Sequence, residues 1–347
     1  MRDVEDMQYA GEVETPEIDD TPAYGQGSTM KARIKKIEWE ADGINSYFLT
    51  TLDGQDMPAF EPGAHVDVQL KPGLTRSYSL VNDPKERRYY EIAVHHAIDS
   101  RGGSRHIHEV WRVGEIVEIS APKNNFPMNE DAAHTVLIAG GIGVTPMLPM
   151  IARLEDLGKS WELHYVAATP DRAAYVDRIA AFPNAKIVFD GIEGGAKLDL
   201  AGLSESAPGD AHLYCCGPGG MLDAFVALNK GRPSENVHIE YFSADTEIAT
   251  DGGYALELTR SGKTITVAEG ETMLDALLTA GVDIGFACSE GVCGTCQVKV
   301  LDGVPDHRDH FLTDEEKVWV GDVVGHHKVV HGGVVLLGDL GQGVADI

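Results

Sequence analysis

Three cysteines near the end of the chain have the spacing that iron–sulfur chemistry requires. Cys288, Cys293 and Cys296 follow the pattern C-x4-C-x2-C. This is the spacing of a plant-type 2Fe–2S loop, in which a fourth cysteine further along the chain completes the ligand set. No cysteine follows Cys296 in this sequence. The pattern therefore predicts a one-electron carrier, and it leaves open what completes the cluster or whether a cluster forms.

A glycine-rich turn in the middle of the chain could bind a pyrophosphate. The run GGIGVTP at 140–146 follows a buried-strand pattern and precedes a helical one. Glycines allow a ligand to approach the backbone closely, and free N–H groups at a helix N-terminus bind phosphate oxygens. The match to G-x-G-x-x-G is partial. A second turn, CGPGG at 216–220, follows a later strand of the same unit, so the two turns together indicate a nucleotide crevice.

Two segments in the first third of the chain could bind a second phosphate and an aromatic ring. The run RSYSL at 76–80 offers an arginine for a phosphate and a tyrosine face for a flat ring. The run SRGGS at 100–104 offers glycine N–H groups and a serine hydroxyl at a helix start. Taken alone, the first segment is more typical of a half-buried surface strand, and the second of an ordinary helix-opening turn.

The secondary-structure elements around these residues fall into three groups, with an arm before the first group and a linker before the third. Residues 1–28 are acidic and polar, which is typical of a disordered arm. Residues 29–130 show short alternating segments, which predict a small antiparallel β-barrel. Residues 131–243 alternate apolar strands with helices, which predicts a parallel α/β sheet. A polar linker at 244–253 leads to residues 254–347, where a hairpin and a helix precede the cysteines.

The pattern predicts the individual elements as well. In the helix after the hairpin, Thr272 and Asp275 occupy capping-box positions, and the helix ends before Gly281. The predicted barrel strands are 32–39, 46–52, 65–70, 89–95 and 116–120, and the predicted α/β strands are 135–139, 162–167, 186–190 and 211–215, with helices over 145–157 and 219–229.

Composition excludes several classes of function. The formal net charge of −27 over 347 residues disfavours binding to nucleic acid or to an anionic membrane, and suits a basic protein partner. The acidic start of the chain lacks a signal-peptide core, and the longest apolar run, 135–154, is broken by glycines and prolines. The five cysteines do not form a disulfide framework pattern. We therefore expect a cytoplasmic protein.

The ordered set of motifs resembles a known family. RSYSL, RGGS, NNFP, GGIGVTPM, CGPGGM, EYF and the cysteine pattern follow one another as in the phthalate dioxygenase reductase family, which includes the vanillate demethylase reductases. The resemblance covers about residues 30–340. It implies FMN on the barrel, NADH on the α/β domain, and a 2Fe–2S cluster in a C-terminal α+β domain of the ferredoxin-like β-grasp type.

The resemblance also implies a set of site residues. Tyr78, Ser79 and Phe242 would lie near the flavin, where they position the cofactor rather than act as an acid or a base. The family favours FMN over FAD, although the residues alone do not distinguish the two flavins. The resemblance also favours NADH over NADPH. The full set of implied cofactor-binding residues is Arg76, Tyr78, Ser79, Gly103, Ser104, Gly141, Thr145, Cys216, Gly217, Pro218 and Phe242.

The implied activity is electron transfer from NADH, through FMN and the cluster, to a terminal oxygenase or another one-electron acceptor protein. That oxygenase would be of the Rieske type and act on aromatic rings or remove O-methyl groups. Two alternatives stay open at this point. The chain could be a flavin-only NADH diaphorase without a functional cluster. It could instead be a non-catalytic protein that binds or senses a cluster.

The fourth cluster ligand departs from the family. In the family a cysteine follows the third one by roughly thirty residues, and here that position falls at or beside His326 and His327. Histidines replace thiolates at one iron of Rieske centres. We therefore hypothesise ligation by Cys288, Cys293, Cys296 and either His326 or His327.

Overall fold

The structure is a computed structural model. It describes residues 29–71, 74–97, 102–242, 253–268, 271–282, 284, 291, 296–307, 309, 312, 322–324 and 328–337. The predicted arm at 1–28, and all of the predicted linker except Gly253, lie outside these residues. The described part contains three sheets, which follow one another along the chain as the sequence pattern predicts.

The first sheet is antiparallel and closes on itself. Its order is β4-β3-β6-β1-β2-β5, with β7 paired to β3, and a bridge between Leu80 and Ile92 joins the two ends. In β1 the buried Ala32 and Ile34 alternate with exposed neighbours, as one-sided burial requires. The strands are β1 (Thr29–Ala41), β2 (Ile44–Thr51), β3 (Ala64–Lys71), β4 (Leu74–Ser79), β5 (Tyr90–His95), β6 (Ile116–Ser120) and β7 (Lys123–Asn124).

One helix, α1 (Gly103–Val110), packs against the barrel through Ile107. It begins after Gly102, whose φ of 92° lies in the left-handed region that glycine adopts without steric cost. The sequence prediction of a glycine-opened helix here is confirmed.

The second sheet is parallel and has the order β10-β9-β8-β11-β12. Its central strand is buried along almost its whole length, as expected for a sheet covered by helices on both faces. The elements are β8 (His134–Gly140), α2 (Met147–Leu157), β9 (Ser160–Ala167), α3 (Val176–Ala180), β10 (Ala185–Phe189), α4 (Leu200–Ser206), β11 (His212–Cys216), α5 (Gly219–Asn229) and β12 (Val237–Glu240).

The helix predicted over 145–157 starts later than expected. A 3-10 turn, Gly141–Val144, comes first, and Pro146 then caps α2. Proline suits this position because it lacks the N–H that a first turn leaves unpaired.

The third sheet is mixed, with the order β14-β13-β17-β15-β16 and with β13 parallel to β17. The capping box is confirmed, because the Thr272 hydroxyl accepts a hydrogen bond from the Asp275 amide at 3.0 Å. The elements are β13 (Tyr254–Leu258), β14 (Lys263–Val267), α6 (Met273–Thr279), β15 (Gln297–Asp306), β16 (Asp322–Val324) and β17 (Lys328–Leu337).

The barrel and the parallel sheet share one hydrophobic core. Val81 and Phe126 from the barrel side pack in the same buried cluster as Val144 and Met147 from the nucleotide side. Because Val144 belongs to the glycine-rich turn, the shared core fixes this turn against the barrel.

Candidate cofactor site

Strand β4 carries the predicted ring and phosphate contacts at one edge of the barrel sheet. Side chains two residues apart on a strand point to the same face, so Arg76 and Tyr78 lie together. Tyr78 packs against the barrel core, and burial raises the pKa of its hydroxyl. The tyrosine therefore keeps its proton and can donate a hydrogen bond. Ser79, the last residue of the strand, is buried.

The N-terminus of α1 lies directly under Arg76. A Cβ atom added to Gly103 would lie 2.8 Å from Arg76 Cγ and 3.1 Å from Arg76 Nε. The Ser104 hydroxyl accepts a hydrogen bond from the Ala97 amide at 3.3 Å, which places it at the same helix start. A guanidinium above unpaired helix N–H groups attracts an anion through charge and dipole together. We call Arg76, Gly103 and Ser104 the phosphate cradle, and its charge fits a flavin phosphate.

The two glycine turns of the parallel sheet touch each other through their backbones. A Cβ atom on Gly143 would lie 2.2 Å from the carbonyl oxygen of Cys216, and one on Gly140 would lie 2.7 Å from the ring Cδ of Pro218 and 3.3 Å from the Cα of Gly217. Only glycine fits these two places. Both turns follow the carboxyl ends of neighbouring strands, β8 and β11, which is where open α/β sheets bind nucleotides. We call this pair of turns the glycine crevice, and its exposed backbone fits a pyrophosphate.

The other predicted residues of the crevice differ in their exposure. Gly141 has φ 54°, and nothing lies within 4 Å of the place its Cβ would occupy, so its backbone faces open space. Thr145 is buried, and its hydroxyl donates to the Ile142 carbonyl at 3.0 Å. This hydrogen bond fixes the shape of the turn. Pro218 caps α5, and its carbonyl accepts hydrogen bonds from the Met221 amide at 2.9 Å and the Leu222 amide at 3.2 Å.

Cys216 and Glu240 form the floor of the crevice as neutral groups. They are direct partners in the β11–β12 register. Burial raises the pKa of the Cys216 thiol well above its ordinary value, and the nearby Glu240 carboxyl raises it further. Burial also raises the pKa of Glu240 to about 8, and its Oε2 atom is buried without a hydrogen-bond partner among the described residues. Both groups are therefore protonated at neutral pH.

The sequence analysis did not single out Glu240 as a site residue. The available signal was the glutamate of the run EYF at 240–242, which is the last residue of β12. Phe242 follows the same strand after one residue and is 39% exposed, so its ring is available to a neighbouring flat surface.

The structure brings the two predicted halves of the site together. Val81, two residues after Ser79, lies in the same core as Val144, which directly follows Gly143. The chain just beyond strand β4 therefore packs into the same core as the turn that would carry the nucleotide.

The predicted iron site is described only in part. Cys296 is buried and packs with Leu277 and Val298 in the core of the third sheet. A buried thiol at the start of a strand fits a cluster ligand shielded from water. Cys288, Cys293, His326 and His327 lie outside the described residues, and within those residues no three metal-ligating side chains come together.

Comparisons with known proteins agree with this three-part organisation. A family model described as a 2Fe-2S iron-sulfur cluster binding domain matches residues 256–320. Phenoxybenzoate dioxygenase subunit beta of Ectopseudomonas oleovorans is 46% identical over 288 residues, which are 83% of this chain and 90% of that protein. Tetrachlorobenzoquinone reductase of Sphingobium chlorophenolicum is 45% identical over 297 residues, which are 84% of this chain and 92% of that protein.

A solved structure is also similar over most of this chain. It is a phthalate dioxygenase reductase, described as a modular structure for electron transfer from pyridine nucleotides to [2Fe-2S]. The match has a TM-score of 0.74 and 32% identity, and it covers 90% of this chain and 98% of that one. Among the described residues, no helix is both long enough and apolar enough to span a bilayer.

Proposed function

Since this chain belongs to the family of oxygenase reductases that includes phthalate dioxygenase reductase, we propose that its phosphate cradle holds FMN and its glycine crevice holds NADH. The chain is an oxidoreductase of that family, which transfers electrons from NADH through FMN and a 2Fe–2S cluster to an oxygenase. The observation that carries the residue assignment is the shared core of Val81 and Val144, because it joins the chain just beyond the flavin strand to the nucleotide turn.

The bound cofactors would supply the hydride and single-electron chemistry, and the protein would supply position and electrostatics. Arg76 and the amides of the α1 start would hold the FMN phosphate. Tyr78 would offer its ring and its protonated hydroxyl, with Ser79 beside it. At the crevice, Gly141 and Gly217 would present backbone to the pyrophosphate, and Pro218 would hold the start of α5 beside it.

The neutral floor of the crevice has a function in this proposal. An ionised Glu240 would repel a nucleotide phosphate, whereas the protonated carboxyl leaves only the attraction of the backbone amides. The Cys216 thiol, also protonated, adds no negative charge. Phe242 would cover the flavin face from the end of β12. These groups orient the two cofactors and exclude water.

We place the functional units at residues 29–130 for FMN, 131–243 for NADH and 254–347 for the cluster, with an arm at 1–28 and a linker at 244–253. Cluster ligation by Cys288, Cys293, Cys296 and His326 or His327 belongs to the same proposal. Replacing both histidines with alanine should then lower the iron content, and unchanged iron would contradict histidine ligation.

The electron acceptor is proposed to be a terminal oxygenase with a basic docking face, because the chain carries a formal charge of −27. The oxygenase substrate class, aromatic rings or O-methyl groups, is part of this proposal. A quinone is a second candidate acceptor, since one relative at 45% identity is named for reducing one. We place the protein in the cytoplasm, where NADH is available and free thiols such as Cys215 and Cys216 stay reduced.

One experiment tests the proposal. Iron, sulfide and flavin are quantified in the purified protein, and its visible spectrum is recorded before and after addition of NADH. We expect both cofactors, with flavin and cluster absorption bleached by NADH. Bleached flavin without iron would identify a flavin-only diaphorase. A cluster spectrum indifferent to NADH would identify a cluster-binding or sensing protein. Reoxidation by a quinone or by a purified oxygenase then separates the two acceptors.

A further inference from the structure

A buried polar group joins the barrel to the parallel sheet. The Ser46 hydroxyl of β2 and the Tyr175 hydroxyl, just before α3, are 2.6 Å apart. Ser46 also donates to Glu91 Oε1 at 3.5 Å, and Arg178 of α3 donates to Glu91 Oε2 at 3.4 Å. Ser46, Glu91 and Tyr175 are all buried. We call these four residues the interdomain latch.

The backbone of the latch is strained at Tyr175. Its φ of 62° and ψ of 20° lie in the left-handed region, and it is the sole non-glycine residue with positive φ in the described part of the chain. A side chain with a Cβ is unfavourable there, and such strain persists only where the surroundings impose it. A glycine at this place would relieve the strain but would provide no hydroxyl to reach Ser46. The retained tyrosine therefore indicates that its side chain is needed.

The latch touches both halves of the cofactor site. Arg178 Nη2 donates to the Val81 carbonyl at 3.2 Å, and Val81 is two residues beyond Ser79. On the other side, Tyr175 packs in the core that contains Val144 of the glycine crevice. A shift of α3 relative to the barrel would therefore move the crevice relative to β4.

A polar latch is a poor way to gain stability. Burial raises the pKa of Glu91 and that of Tyr175, which shows that the site opposes ionisation of both groups. Apolar residues of similar size often stabilise a buried site as well or better. Hydrogen bonds, however, are directional, so they select one relative orientation, whereas apolar packing tolerates sliding.

We propose that Tyr175, held by Ser46 and Glu91, is a positioning residue that fixes the distance between the flavin strand and the nicotinamide crevice. The proposal rests on the assignment of FMN to the cradle and NADH to the crevice. The rate of hydride transfer depends steeply on the geometry of donor and acceptor, so loosening the latch slows the transfer. The binding of NADH is not weakened, because its contacts lie in the crevice itself.

The test compares Tyr175→Phe and Ser46→Ala with Tyr90→Phe. Tyr90 is a buried tyrosine of the barrel whose hydroxyl donates to the Pro58 carbonyl, so its removal costs one buried hydrogen bond inside a single domain. Stopped-flow bleaching of the flavin gives the limiting rate constant and the NADH concentration at half-maximal rate. Hydrogen exchange of the Asp42 amide, measured with and without flavin, reports on domain contact, because this amide donates to the Asp171 carbonyl across the interface at 2.7 Å.

We expect Tyr175→Phe to lower the limiting rate about tenfold or more, with an unchanged half-saturating NADH concentration and faster exchange at Asp42. Ser46→Ala should act in the same direction, and Tyr90→Phe should change neither quantity. If Tyr175→Phe fails to fold, the result for Ser46→Ala alone tests the proposal. A parental limiting rate in the latch variants, with exchange at Asp42 no faster than in Tyr90→Phe, would overturn the proposal. Failure of the parent protein to bleach with NADH would instead refute the cofactor assignment.

Discussion

In the proposed assignment, the phosphate cradle and the glycine crevice use different means to bind a phosphate. In the cradle, a mobile arginine side chain lies over the start of a helix, 2.8 Å from the place a Cβ on Gly103 would occupy. In the crevice, backbone lies against backbone, and a Cβ on Gly143 would lie 2.2 Å from a carbonyl oxygen. A side chain can move to accommodate a neighbour, but two turns fixed by adjacent strands cannot. The cradle should therefore tolerate changes of shape, and the crevice should not.

The two sites also differ in charge. The cradle carries the positive charge of Arg76, whereas the floor of the crevice carries Cys216 and Glu240 in their neutral forms. Charge therefore dominates binding on the flavin side, and backbone shape dominates it on the nucleotide side. Four variants test this contrast.

The largest effect is expected from Gly143→Ala. The new methyl group would collide with the Cys216 carbonyl, and separating the two turns should lower the free energy of unfolding by about 3 kcal/mol. NADH should no longer bleach the flavin. Chemical denaturation and stopped-flow absorbance measure the two effects. Gly209→Ala, in open space, is the control and should behave as the parent protein. If Gly143→Ala proved as stable as the parent protein, the two turns would be able to separate freely.

Arg76→Met should come next, because it keeps the apolar stem and removes the charge. Loss of a charged hydrogen bond to phosphate costs about 1.5 to 3 kcal/mol, so the flavin dissociation constant should rise roughly ten- to a hundredfold. Flavin fluorescence during titration of the flavin-free protein measures it. The matched control is Arg88→Met, which removes an exposed arginine paired with Glu86. Equal affinity in the two variants would contradict the assignment of the cradle.

Glu240→Gln should change the pH dependence of stability. The pKa of this carboxyl is raised from 4.5 to about 8, so the unfolded chain loses this proton in a range where the folded chain keeps it. The stability that depends on this proton is complete below pH 4.5 and is lost as the pH rises toward 8. The glutamine variant should not show this loss. Between pH 5 and pH 8 its melting temperature should therefore rise relative to that of the parent protein, by roughly a few degrees. Parallel melting curves of both proteins across this range would contradict the shifted pKa.

Gly103→Ala should have the smallest effect. The added methyl group meets the stem of the Arg76 side chain rather than backbone, so the arginine can shift at a cost of about 1 kcal/mol. A few-fold weaker binding of flavin is expected in the same titration. In the Arg76→Met background the effect should vanish, because the two changes act on one contact. An effect as large as that of Gly143→Ala would remove the contrast between the two sites.

Much of the fold could be predicted because its signals are local. Strands β1, β2, β3, β5 and β6 and strands β8 to β11 lie within a few residues of their predicted positions, since alternation and apolar runs set them. Strands β7 and β12 were not predicted. Each is short, and each is stabilised by its pairing partner, β3 or β11, rather than by its own sequence.

The order of the three sheets and the types of residue at the turns could be read from the sequence alone: arginine and glycine for the cradle, paired glycines for the crevice, and thiols for iron. These follow from chain-local chemistry, since a glycine turn or a cysteine spacing has the same meaning wherever the chain folds. Packing between elements decided that Gly103 lies under Arg76, that one carboxyl oxygen of Glu240 is buried beside Cys216, and that Tyr175 reaches Ser46. These pairs are far apart in sequence, and their distances, strain and pKa values arise from packing between elements, which no local pattern encodes.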